Sequence, residues 1–123
     1  MHTLYADGGQ SPSLGCYGSF LLEKDGKQIH LVRLTLGDDI FTNNMAEYAT
    51  AIAGLEFCKS RGIREVHLYS DSLLLVRQVS GQWKVGKQHL RRFVEKIHEL
   101  CEYFYVIEIE HIDRSVIVKK LGH

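Results

Sequence analysis

The sequence predicts an α/β fold: a five-stranded mixed sheet, three antiparallel strands followed by two parallel ones, flanked by helices. Two observations predict it. The first part of the chain carries strand-like apolar runs joined by short turns, which is typical of an antiparallel meander. The remainder alternates helical and strand-like segments, which is typical of parallel strands added through right-handed crossovers.

The antiparallel part consists of three predicted strands, over residues 2–6, 15–23 and 28–36. Asp7 follows the end of the first strand directly. The second and third strands flank Asp25 and Gly26. An Asp-Gly pair between two apolar runs predicts a hairpin, because glycine accepts the positive φ that such a turn needs.

Helices and strands alternate in the second part of the chain. Helices are predicted over residues 42–62, 71–80 and 86–104, and strands over residues 65–70 and 105–112. The first helix has apolar residues at helical spacing, a candidate N-cap at Asn43 or Asn44, and Gly62 at its end. Residues 113–123 carry no pattern that decides between helix and loop.

The composition is that of one ordinary globular domain, which we expect to cover residues 1–123. Hydrophobic residues make up 45% of the chain and charged residues 24%, with no repeat, linker or bilayer-spanning apolar run. The three cysteines are widely spaced and odd in number, which favours a reducing, cytoplasmic location over a disulfide framework or a zinc site. A formal net charge of zero argues weakly against a nucleic-acid partner.

Three acidic residues are expected to meet at one edge of this sheet. Asp7 and Asp71 each follow a strand, and the topology makes those strands parallel neighbours, so both residues lie at the carboxyl edge where α/β sheets bind ligands. Glu47 lies in the predicted first turn of the long helix, and a helix crossing the sheet there directs it at the two aspartates. Taken alone, Asp71 has the alternative role of a helix N-cap.

Three carboxylates at one edge repel one another and lose hydration. Hard divalent cations remove that cost, and oxygen ligands suit Mg²⁺ or Mn²⁺, whereas no cluster of cysteine and histidine in the sequence favours zinc. Two such ions stabilise both the attacking and the leaving oxygen of a phosphoryl displacement. The pattern therefore fits metal-dependent phosphoryl chemistry.

Four segments together resemble the motifs of type 1 ribonuclease H. They are YADGG at residues 5–9, TNNMAEY at 42–48, YSDS at 69–72 and IEIEHIDR at 107–114. The resemblance lies in their order, spacing and context, and it covers residues 3 to about 114. The chain is similar to the short form of this family, which lacks a basic protrusion between the later helices. The resemblance implies a ribonuclease H-like fold.

The same resemblance implies endonucleolytic cleavage of the RNA strand of RNA–DNA hybrids. It implies catalytic and metal-binding roles for Asp7, Glu47 and Asp71, which are expected to hold two ions of Mg²⁺ or Mn²⁺, with a single ion as the alternative. It also implies substrate contacts from Gly8, Gly9, Thr42, Asn43 and Asn44. Amides and a hydroxyl at a helix N-terminus suit that role independently, because they can contact phosphate and 2′-hydroxyl groups.

The tail departs from the family pattern, which has a fourth acidic residue in a helix after the last strand. A shortened alignment places Lys119 there and a gapless alignment places Leu121, while Asp113 lies earlier, at the strand end. Three interpretations stay open: activity with three ligands and more metal-bound water, recruitment of Asp113, or a degenerate and inactive domain. The three intact acidic residues favour activity.

Other candidate residues each have an ordinary alternative. A basic cluster interleaved with an aromatic residue consists of Trp83, Lys84, Lys87, His89, Arg91 and Arg92. This cluster either holds nucleic-acid phosphates, with Trp83 on a sugar or base, or is a solvated helix face beside a core tryptophan. His111 is an auxiliary candidate whose alternative is a surface histidine at a strand end.

The predicted function is therefore metal-dependent hydrolysis of the RNA strand of RNA–DNA hybrids. The main alternative is a catalytically degenerate ribonuclease H-like module that binds nucleic acid or a protein partner. A third possibility is a nuclease of the same superfamily that acts on another substrate, because a fold alone does not determine a function.

Overall fold

The structure, a computed structural model, describes residues 1–13 and 15–122. Its elements are β1 (His2–Ser11), β2 (Gly15–Lys24), β3 (Lys27–Thr35), α1 (Asn43–Ser60), β4 (Glu65–Ser70), α2 (Leu73–Val79), α3 (Gln88–Cys101), β5 (Val106–His111) and α4 (Arg114–Leu121). The strands form one sheet in the order β3-β2-β1-β4-β5. Antiparallel pairing of β1, β2 and β3 and parallel pairing of β1, β4 and β5 confirm the predicted mixed sheet.

The hairpin between β2 and β3 turns where the sequence predicts it. Asp25 and Gly26 have φ angles of 53° and 76°, the positive values that a tight hairpin turn requires. The predicted end of the first strand at residue 6 is wrong, however. β1 continues to Ser11 because β2 runs alongside it, and Asp7 pairs with Ser19. Asp7 therefore lies within a strand and not after one.

Helix α1 begins one residue later than predicted and has a different cap. Thr42, and neither Asn43 nor Asn44, is the N-cap: its Oγ1 accepts a hydrogen bond from the Met45 N–H at 3.1 Å. The helix ends before Gly62, whose φ of 72° places it in the left-handed region. Glycine is favoured at that position because it has no Cβ, so this part of the prediction is confirmed.

The two faces of the sheet are covered by different helices. Leu4 and Ala6 of β1 point into the main core, which includes buried residues of α1, α2 and α3. The alternate residue Tyr5 points to the other face and packs with Leu21 of β2 and with Ile117 of α4. Because β1 and β2 are covered on both faces, their central residues are apolar without strict alternation.

The tail, ambiguous from sequence, forms α4. Asp113 caps this helix, since its Oδ2 accepts a hydrogen bond from the Ser115 N–H at 3.0 Å, and Gly122 ends it with a φ of 72°. Ile117 and Leu121 are buried against the sheet. The helix is specified by this packing and by its caps, because its own sequence has little apolar periodicity. Residue 123 lies outside the described part of the chain.

None of the helices in the described ranges is long and apolar enough to cross a lipid bilayer. The three cysteines carry free thiols: Cys16 and Cys58 are buried, and Cys101 is half-buried.

Candidate functional site

The parallel pairing of β1 with β4 brings two carboxylates to the same edge of the sheet. Ala6 of β1 pairs with Ser70 of β4, so the residues that follow them, Asp7 and Asp71, lie side by side. Both side chains are shielded from water, with exposures of only 7% and 9%. Two adjacent acids with so little hydration require a cation or a proton nearby.

Asp71 is not a helix cap. Ser72 is the N-cap of α2, and its Oγ accepts a hydrogen bond from the Leu75 N–H at 3.2 Å. The helix-cap alternative for Asp71 is therefore wrong, and its carboxylate faces the edge of the sheet with Asp7.

Glu47 reaches the same place from α1. It is the fifth residue of the helix, so it lies at the start of the second turn, and the expectation that it lies in the first turn is wrong. The helix approaches β1 very closely at Gly8, where an added Cβ would lie 2.2 Å from the Ala46 carbonyl oxygen. The Gly8 N–H donates a hydrogen bond to Glu47 Oε1 at 3.1 Å. Because Gly8 has no side chain, α1 can lie close enough to β1 for Glu47 to reach the two aspartates.

The structure brings together the three acidic residues that the sequence analysis selected. One carboxylate oxygen from each of Asp7, Glu47 and Asp71 lies within 4.8 Å of the other two. Shielded oxygen donors at this spacing fit a hard divalent cation. Within the described ranges, no further acid or histidine belongs to this group, so the fourth carboxylate typical of the family has no counterpart here.

Glu47 is the carboxyl group most affected by this crowding. Burial raises its pKa to about 9, and the hydrogen bond with Asp7 and the negative charges of Asp7 and Asp71 act in the same direction, whereas the Gly8 N–H lowers it. Without metal, Glu47 therefore holds a proton more readily than an exposed glutamate does, and a bound cation would take the place of that proton.

This shift predicts how the stability of the metal-free protein depends on pH. The folded-state pKa of Glu47 lies above its usual value of 4.5, so stability should fall as pH rises through the interval from 4.5 to about 9. Melting temperatures in EDTA measure this fall, and added Mn²⁺ should reduce it. In Glu47→Gln this pH dependence should be weaker, because the variant has no carboxyl group at that position. If the melting temperature of Glu47→Gln fell with pH as steeply as that of the parent, Glu47 would not be its cause.

The cation beside the acidic group is Arg114, which the sequence analysis did not select. Its Nη1 donates to Asp71 Oδ2 at 2.9 Å and lies 3.9 Å from Asp7 Oδ2. The hydrogen bond to Asp71 is the main cause that raises the pKa of Arg114. Arg114 is the first residue of α4, just after β5, which ends at the same edge as β4. Its place just after a predicted strand was the feature of the sequence that could have identified Arg114 as a site residue.

Arg114 competes with a bound cation for the same carboxylates. Two unit charges about 4 Å apart interact by about 1 kcal/mol even in water, so Arg114→Gln should raise the Mn²⁺ affinity roughly fivefold. Calorimetric titration of both proteins measures the change. Arg92→Gln, on the exposed face of α3, is the matched control. Unchanged or weaker Mn²⁺ binding in Arg114→Gln would show that Arg114 does not compete with the ion.

The predicted substrate-binding residues of the first half of the chain lie near the three carboxylates. They are Gly8 and Gly9, which continue β1 beyond Asp7, and Thr42, Asn43 and Asn44, which begin α1 about one turn before Glu47. The Asn43 side chain is exposed and that of Asn44 is half-buried. The Thr42 hydroxyl is already engaged as the helix cap.

Trp83 and Lys84 lie in the loop between α2 and α3. Hydrogen bonds hold this loop on α2: the Trp83 N–H donates to the Arg77 carbonyl at 3.1 Å, and the Lys84 carbonyl accepts from Gln78 Nε2 at 3.2 Å. The Trp83 side chain is 45% exposed and does not belong to the core, so the core-tryptophan alternative is wrong.

The auxiliary candidates occupy different surroundings. His111 is exposed at the end of β5 and pairs with Ser70, so it lies at the same edge as Asp71. Asp113 is engaged in capping α4. Lys119 lines a cavity with Leu21, Glu23 and Gln28, and the basic residue that contacts the carboxylates is Arg114.

Comparison with known proteins is consistent with this geometry. Residues 6–118 match the family described as reverse transcriptase-like. Ribonuclease HI of Halobacterium salinarum is 33% identical over 113 residues, which are 90% of this chain and 56% of that protein. A bifunctional protein of Mycobacterium tuberculosis, Rv2228c, is 33% identical over 112 residues, 89% of this chain and 30% of that protein. The chain thus spans less than two thirds of the length of either relative.

Solved structures show the same architecture. The crystal structure of RNase H1 from Halobacterium salinarum has a TM-score of 0.89 at 29% identity and covers 98% of this chain and 92% of that chain. LC11-RNase H1, in complex with an RNA/DNA hybrid, has a TM-score of 0.86 at 28% identity, and the match covers 98% of this chain and 91% of that chain. This fold implies the use of a divalent metal. The chain therefore belongs to the reverse transcriptase-like family and has the fold of type 1 ribonuclease H.

Proposed function

We propose that this chain is a metal-dependent endonuclease that hydrolyses the RNA strand of RNA–DNA hybrids. The observation that carries the proposal is the meeting of Asp7, Glu47 and Asp71 within 4.8 Å at one edge of the sheet. We assign catalytic and metal-binding roles to these three residues, with Mg²⁺ or Mn²⁺ as the cation. The shared fold with LC11-RNase H1, which is known in complex with an RNA/DNA hybrid, supports this substrate class.

A divalent cation at this place would supply charge stabilisation and an activated water for in-line displacement at phosphorus. The chain's own groups prepare the site. The Gly8 N–H fixes the orientation of Glu47, and the low exposure of Asp7 and Asp71 keeps competing water away. The Arg114 side chain is 68% exposed, so its guanidinium can leave the carboxylates and contact a phosphate.

Substrate contacts are proposed for polar groups around the same edge. The exposed Asn43 and the backbone N–H groups at the start of α1 suit phosphate and 2′-hydroxyl groups. The exposed Trp83 ring suits stacking on a sugar or base, and Lys84 beside it suits a phosphate. Gly9 is proposed to contact the substrate through its backbone, because the Tyr17 side chain occupies the place of a Cβ there, with Oη 2.7 Å from that position. His111 is assigned an auxiliary role.

A binding module without catalysis is the second candidate. The observation in its favour is that only three described carboxylates meet, with Arg114 rather than a fourth acid beside them. Such a module would still bind hybrids through its polar edge, because those contacts do not need the missing ligand.

A cleavage assay on an end-labelled RNA–DNA hybrid, with Mg²⁺ and separately with Mn²⁺, tests the proposal. We expect internal cuts in the RNA strand only, no cuts with EDTA, and no cuts in DNA duplexes of the same sequence. Hybrid binding without cleavage in either metal would favour the binding module. Absence of both binding and cleavage would contradict both candidates.

We further propose that residues 1–123 form a single domain and act in the cytoplasm. One main core receives side chains from β1, β2, β4 and the first three helices, which supports a single folding unit over the described residues. The free thiols of the three cysteines are compatible with a reducing compartment.

A further inference from the structure

We propose that His67, Glu108 and Glu110 form a second divalent-cation site, selective for borderline ions such as Zn²⁺. Val66 and Leu68 of β4 point into the main core, so His67 between them points to the opposite face of the sheet. Glu108 and Glu110 of β5 share that face. This group is separate from the three carboxylates described above, and it does not depend on the proposed nuclease function.

The parallel pairing of β4 with β5 builds this cluster. His67 pairs with Glu108, and Glu110 lies two residues further along the neighbouring strand. Nδ1 of His67 is 3.3 Å from Glu108 Oε2, and Nε2 is 3.1 Å from Glu110 Oε1. One ligand atom from each of the three residues lies within 4.8 Å of the others. The imidazole ring thus has a carboxylate at each nitrogen.

A neutral imidazole cannot satisfy both carboxylates. It has one N–H, so it can donate a hydrogen bond to only one of them, and its second nitrogen keeps a free lone pair. Nε2 is the atom in question: it is buried and has no hydrogen-bond partner in the described ranges, although Glu110 Oε1 is 3.1 Å away. Two atoms that share a zinc ion at about 2.1 Å each lie roughly 3 to 3.5 Å apart. The 3.1 Å between Nε2 and Glu110 Oε1 falls within this range.

The cluster also has the charge and rigidity of a binding site. Across residues 1–13 and 15–122, no lysine or arginine forms an ion pair with Glu108 or Glu110. The His67 ring is held in place by stacking on Tyr69, with centroids 4.2 Å apart, and Tyr69 stacks in turn on Tyr5 at 5.4 Å. A fixed histidine and two negative charges without lysine or arginine partners favour a divalent cation.

The ligand set determines the kind of ion. One imidazole nitrogen and two carboxylates suit Zn²⁺, Co²⁺ or Ni²⁺ better than Mg²⁺, which prefers oxygen ligands and water. Both glutamate side chains are more than half exposed, so they can rotate toward an ion on either nitrogen. Water would complete the coordination.

Zinc titration by calorimetry tests the site, in a chain carrying Asp7→Asn and Asp71→Asn to remove the other carboxylate group. We expect one Zn²⁺ per chain, and a shift of the His67 ring nitrogens in NMR spectra. His67→Ala and the more conservative Glu110→Gln should each weaken binding by about tenfold or more. His89→Ala and Glu95→Gln, exposed on α3, are the matched controls and should bind as the parent does.

Two results would overturn the proposal. One is equal zinc affinity in the parent, His67→Ala and Glu110→Gln, which would place the ion elsewhere. The other is no binding at millimolar Zn²⁺, which would leave the cluster as a histidine that only bridges two carboxylates. Circular dichroism of each variant confirms that lost binding does not reflect unfolding.

Discussion

Asp7→Asn is expected to cleave the RNA–DNA hybrid at least about 10³-fold more slowly than the parent chain, with Mg²⁺ and with Mn²⁺ alike. Metal ions stabilise developing charge in the transition state by several kcal/mol, and each 1.4 kcal/mol corresponds to a factor of ten in rate. Asp7 is central to the three carboxylates, because it lies next to Asp71 and shares a hydrogen bond with Glu47. Initial rates on the end-labelled hybrid measure the effect.

The matched control is Asp25→Asn, in the turn between β2 and β3, where Asn-Gly suits the positive φ as well as Asp-Gly does. It should cleave at the parental rate. Asp7→Asn should also keep or increase its melting temperature in EDTA, since it removes one of the repelling carboxylates. Cleavage that survives in Asp7→Asn would assign the activity to another site or to a contaminant.

Gly8→Ala is expected to lower the free energy of unfolding by about 3 kcal/mol or more, a large effect for one methyl group. Its Cβ would lie 2.2 Å from the Ala46 carbonyl oxygen and 2.7 Å from the Glu47 nitrogen. Both are backbone atoms, so no side chain can rotate away, and α1 must move off β1. Because α1 carries Glu47, hybrid cleavage should fall as well. Urea unfolding and the hybrid assay measure the two effects.

Gly86→Ala provides the control for this substitution. A Cβ at Gly86 would meet nothing within 4 Å, and its φ is not positive. Its unfolding free energy should stay within about 0.5 kcal/mol of the parent value. If Gly8→Ala were equally neutral, α1 and β1 would not be in the close contact on which the position of Glu47 depends.

Much of the fold follows from local patterns that need no distant partner. The turn at Asp25 and Gly26 follows from backbone φ preferences, and the end of α1 before Gly62 follows from the same physics. The order of antiparallel and then parallel strands follows from short turns and alternating elements. Because that order makes β1 and β4 neighbours, the sequence also determined that Asp7 and Asp71 would share an edge.

The tertiary structure decided what depends on contacts between distant residues. β1 extends to Ser11 because β2 supplies its hydrogen bonds. The glycines after Asp7 have low strand propensity, so the sequence alone predicted an earlier end. Helix α4 exists because its buried residues pack on the sheet, although the tail lacks a helical pattern. Arg114 pairs with Asp71, 43 residues away, and His67 lies between two glutamates of another strand. Such pairings require the sheet to assemble first, because charge and burial at these positions arise only when separate segments meet.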